Sequence, residues 1–80
     1  DAFAQWNLAN AYNQLEEFDE AAVHYEKAAI ELDHEPEFMK EYGIFLRDEG
    51  RLQEALTLLQ HYLSHEPGDL EVQSIIDALL

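Results

Sequence analysis

Eighty residues make one small domain, and 48% hydrophobic content supports ordered structure, which excludes a disordered tail. Eighteen acids against four bases give a formal net charge of −14, which excludes nucleic acid as a partner, because displacing phosphate counterions takes a basic stripe; a basic or apolar partner is easier to accommodate. With no cysteine there is no disulfide framework and no thiolate site, and no apolar run approaches the ~18 residues that span a membrane.

Ala2 to Leu15 reads as the first of five helices. Ala4, Leu8, Ala11, Tyr12 and Leu15 recur at helical spacing and are expected to be its core face, with Phe3, Trp6, Asn10 and Asn13 on a different face. Glu16-Glu17-Phe18 reads as a turn and Asp19 as the N-cap of a second helix reaching about Asp33. Its stripe is Ala21, Ala22, Tyr25, Ala28, Ala29 and Leu32, whose small residues allow close helix approach. Pro36 suits the first turn of a third helix, because the missing N–H would be unpaired there anyway. That helix runs to about Glu49, with a core face of Phe38, Met39, Tyr42, Phe45 and Leu46 and a close approach at Gly43; Gly50 is a left-handed stop. The fourth, Leu52 to about His65, carries Leu52, Ala55, Leu56, Leu59, Tyr62 and Leu63. Glu66-Pro67-Gly68 ends it, and Asp69 caps a fifth helix, Leu70 to Leu80, with Val72, Ile75, Ile76, Leu79 and Leu80 apolar and Glu71, Gln73, Ser74 and Asp77 outward.

One pattern is written twice. Leu8-Ala9-x-x-Tyr12 followed by Glu20-Ala21-x-x-x-Tyr25 returns 34 residues later as Tyr42-Gly43-x-x-Leu46 followed by Glu54-Ala55-x-x-x-Leu59. This spacing and residue order resemble the tetratricopeptide repeat (TPR), a helix–turn–helix unit of that length. The resemblance implies an all-α, right-handed α-solenoid of two repeats, about 2–35 and 36–69, closed by a capping helix at about 70–80. It departs from the family pattern where Gln5 and Met39 replace the leading Trp, where Glu16 stands in the turn position that Gly50 keeps, and where Asp33 replaces the closing Pro. Trp6 lies one residue late, a rotation of about 100°.

In TPR arrays the first helix of each pair lines a concave surface that binds an extended peptide or partner helix. On that basis the binding residues are Phe3, Trp6, Asn10, Asn13, Lys40, Ile44 and Arg47: an aromatic anchor, backbone-binding amides and two of the chain's four cations. Asn10, Lys40 and Arg47 partly resemble the set with which one subfamily holds a terminal carboxylate. The competing readings are ordinary ion pairs for Lys40 and Arg47, and packing of Phe3 and Trp6 on a preceding repeat. The expected function is therefore a protein-interaction module. The alternative is a structural segment of a longer array, or one that self-associates through its terminal helices. No cofactor is implied. No Gly-rich phosphate loop or nucleophile-elbow serine supports catalysis. His61 and His65 lie four apart, a spacing that can hold a metal, but dipole-favoured surface histidines are the expectation. The opening at Asp1 without methionine suggests part of a longer protein, and a cytoplasmic location is the default expectation.

Overall fold

A computed structural model describes residues 1–80 and contains five helices and no strand: α1 (Ala2–Gln14), α2 (Phe18–Leu32), α3 (Pro36–Asp48), α4 (Leu52–His65) and α5 (Leu70–Leu79). The chain divides into two compact units, Asp1–His34 and Glu35–Leu80.

In the first unit α1 and α2 form a helical hairpin. Asp1 caps α1, its Oδ1 accepting from the Ala4 amide at 2.8 Å. Ala9, Ala21, Tyr25 and Ala28 are fully buried. Alanine on both helices keeps the ridges low, so the backbones come close and the tyrosine ring fills the space left beside them. His24 ties the two helices together by a hydrogen bond and a ring stack. The His24 Nδ1–H donates to Gln5 Oε1 at 2.6 Å, and the His24 ring stacks on Tyr12 at 5.4 Å between centroids, 8° from parallel.

The core face of α1 is not the expected one. Leu8 and Leu15 are 42% and 70% exposed, and Ala4 and Ala11 are exposed as well. The inward positions are Ala2 and Ala9, flanked by half-buried Gln5, Trp6, Tyr12 and Asn13. A helix with one hairpin partner turns one side to it, and the small side chain of Ala9 defines that side. Leu8, one residue away, is rotated about 100° off it. The start of α2 also differs. Phe18 is already helical, Glu17 stands at the N-cap without a side-chain cap bond, and Asp19 lies in the first turn beside Glu20, where the dipole favours acids.

The second unit follows the expected stripes more closely. All five expected residues of α3, Phe38, Met39, Tyr42, Phe45 and Leu46, are buried, with Pro36 in the first turn. Gly43 sits against Leu59: a Cβ there would stand 2.5 Å from Leu59 Cδ2 and 2.7 Å from its Cγ. Met39, Leu59, Tyr62, Val72 and Ile76 make one core joining α3, α4 and α5, with Leu56, Leu58, Leu63 and Ile75 packed around it. Leu52 is 49% exposed, at the very start of α4. On α5, Glu71, Gln73, Ser74 and Asp77 face solvent, while Leu80 ends the chain 81% exposed.

Candidate partner-binding surface

The candidate residues fall on α1 and α3, one helix in each unit. On α1, Phe3 is 57% exposed and Trp6 is half-buried, and their rings lie 6.3 Å apart, tilted by 33°. The pair forms a small aromatic surface near the start of the helix. Asn10 and Asn13 continue the same side and are half-buried. The Tyr25 hydroxyl points at Asn10 Oδ1 at 3.5 Å, beyond the usual range for a strong bond, so the amide retains capacity for another partner.

On α3 the two cations are engaged. Lys40 Nζ lies 2.9 Å from both Asp69 Oδ2 and Glu71 Oε1, which come from the start of α5. Asp69 also accepts from the Tyr62 hydroxyl at 2.6 Å and, as N-cap of α5, from the Val72 amide at 3.2 Å. This junction shifts the acidity of its members. The hydrogen bond from Tyr62, then those from Lys40 and the Val72 amide, lower the Asp69 carboxyl to about 2. The same bond pushes the Tyr62 phenol up to about 12. Hydrogen bonds to Asp69 and Glu71 raise the Lys40 ammonium above its ordinary value. Arg47 forks onto Asp48 Oδ1 through Nε at 3.0 Å and Nη2 at 2.9 Å. Ile44, between the two cations in sequence, is half-buried.

Lys40 and Arg47 are thus in ion pairs, but the partners of Lys40 are 29 and 31 residues along the chain rather than its helical neighbours. Nothing in the local sequence signals that pairing beyond the capping potential of Asp69. An open groove of about 440 Å³ in the second unit, which no sequence motif signals, has Tyr42, Leu46 and Leu58 in its lining and Glu54, Thr57 and His61 among its polar residues. Glu54 is clamped there by Arg51 at 2.7 Å, which holds its carboxyl below the ordinary range.

A family profile described as YpiA-like, C-terminal tetratricopeptide repeats matches residues 3–69. A TPR repeat-containing protein, YpiA, of Bacillus subtilis (strain 168) is 37% identical over 71 residues, which is 89% of this chain and 17% of that relative. The chain therefore spans about a sixth of the length of the relative it matches. No helix is long and apolar enough to cross a membrane.

Proposed function

Because this chain belongs to the tetratricopeptide repeat family, whose helical repeats generally serve protein–protein contact, we propose that it binds a peptide or partner helix through the accessible side of α1 in the first unit. The observation that carries this reading is the Phe3–Trp6 pair, an aromatic surface left accessible on a leading helix. Trp and its aromatic neighbours offer large apolar area with little rotamer entropy to lose, which makes them frequent binding anchors. Asn10 and Asn13 add hydrogen-bonding groups beside them, while Ile44 on α3 offers a separate apolar contact in the second unit. On α3, the ion pairs of Lys40 and Arg47 argue against a carboxylate clamp. A terminal carboxylate would have to displace Asp69, Glu71 or Asp48 and approach a chain of net charge −14. The partner that suits this surface is apolar with basic flanks.

The test uses peptides that place one aromatic or aliphatic residue between lysines. Binding should shift Trp6 emission, and Trp6→Ala and Asn10→Ala should each weaken it, while matched acidic peptides should not bind. An affinity indifferent to both substitutions would remove the assignment.

A second reading, self-association through the terminal helices, is favoured by Phe3 at 57% exposure on α1 and by Leu70 at 78% and Leu80 at 81% at the two ends of α5. Sedimentation separates the two: a mass independent of concentration counts against self-association.

A further inference from the structure

We propose that His61 and His65 form a two-nitrogen chelate for a borderline divalent cation of the Zn²⁺ and Ni²⁺ class. Both residues lie in the last turns of α4, four apart, which puts their rings one above the other on one face. Both are exposed, with ring centroids 5.1 Å apart and planes tilted by 53°. Their Nε2 atoms face each other at 3.4 Å.

That distance fits two arrangements. As an N–H···N hydrogen bond it is long. As the bite of a chelate it matches. Two metal–nitrogen bonds of about 2.0–2.1 Å, opened to a tetrahedral angle, hold their nitrogens about 3.4 Å apart. The backbone beneath is regular to the helix end: the Ser64 hydroxyl donates to the His61 carbonyl at 2.6 Å and the Glu66 amide to the Tyr62 carbonyl at 2.9 Å. Tyr62, between the two histidines, is buried and anchors this turn in the core. The C-terminal end of the helix dipole and the acidic chain both favour a cation here.

Imidazole selects borderline ions over hard ones, which prefer oxygen ligands. The chain gathers no group of three or more metal-binding side chains. The ion would keep its other positions for water or for a donor from a second molecule, so the site is of the open, exchangeable type and not a closed structural one.

Isothermal titration of the 80-residue chain with ZnCl₂ tests this, with CaCl₂ in excess as competitor and imidazole proton NMR as a second readout. The expected result is one saturable site that calcium does not compete for, with the ring protons of His61 and His65 shifting together. His61→Gln and His65→Gln should each weaken it at least ~10-fold, since loss even of a metal site's outer partners costs that much. His34→Gln, at an exposed histidine elsewhere, should leave it unchanged. Zinc binding that survives either substitution at 61 or 65, or that calcium competes away, would assign the heat to surface carboxylates and overturn the proposal.

Discussion

Glu16 and Gly50 occupy the same place in the two halves of the chain, 34 residues apart, and they meet the same backbone demand. Each follows the end of a leading helix with positive φ, 60° at Glu16 and 79° at Gly50. Each is closed by the same pair of bonds: Glu16 N–H to Asn13 O and Glu17 N–H to Tyr12 O in the first, Gly50 N–H to Arg47 O and Arg51 N–H to Leu46 O in the second. A side chain in the left-handed region costs roughly 1–2 kcal/mol, and glycine returns part of that as extra chain entropy when unfolded. Glu16→Gly should therefore stabilise the protein by up to ~1 kcal/mol, read as a higher urea midpoint at constant slope. Gly43→Ala should do the reverse. Alanine improves helix propensity by about 1 kcal/mol, but its Cβ would press into fully buried Leu59, and overpacking of that kind costs roughly 1–3 kcal/mol. A net loss is expected, partly recovered in Gly43→Ala/Leu59→Val, and no recovery would mean that the strain lies elsewhere. Glycine and proline were legible in the sequence because their backbone demands are local. The exposure of Leu8 was not, since periodicity gives a face but not the neighbour that covers it. Trp6 escaped for the same reason and lies half inside the face expected to exclude it.

Helix ends were legible where residues with strong end preferences stand, at Pro36, Gly50 and Asp69, but not at the start of α2, which begins at Phe18 behind Glu17 with no side-chain cap. The attachment of α5 was only half legible. Its cap was expected, but the convergence of Lys40 and Tyr62 on Asp69 depends on tertiary packing across 29 and 7 residues. That convergence gives α5 a pH signature. Asp69 has a folded value of about 2 against an ordinary 3.8, so its contribution is fully present above the ordinary value and is lost as pH falls through the folded one. Tyr62 runs the other way. Raised from 10.0 to about 12, it stabilises fully below pH 10 and loses that contribution as pH rises toward 12. The stability difference between the natural chain and Asp69→Asn should accordingly be constant near neutrality and shrink between pH 4 and 2. The difference from Tyr62→Phe should shrink between pH 10 and 12. Hydrogen exchange should locate both losses in the α5 amides, and a difference flat across the acid range would mean that the carboxylate does not hold α5 in place.

Charge acts on the molecule as a whole. Residues 1–34 hold eight acids and one base and residues 35–80 hold ten acids and three bases, so neither unit can neutralise itself. Ion pairs such as Lys40 with Asp69 and Arg51 with Glu54 favour the fold and weaken with salt, whereas the surplus of carboxylates repels itself and is relieved by salt. The surplus decides the sign, because exposed pairs contribute at most ~1 kcal/mol each and most acids have no base to meet. Between about 0.01 M and 0.15 M NaCl the screening length contracts from about 30 Å to about 8 Å, and the thermal midpoint should rise. A gain of ~1 kcal/mol would move it by about 4–8 °C in a domain of this size. Chloride is the proper anion, since sulfate would strengthen apolar burial independently of charge. The same salt should slow association with a basic peptide, because steering toward an acidic surface is screened over the same range. Rising stability with falling association rate is the pattern expected of an acidic module that recruits a basic partner. A midpoint that dropped on adding NaCl would mean that paired charges outweigh the surplus, and an association rate indifferent to salt would confine recognition to the apolar surface around Phe3 and Trp6.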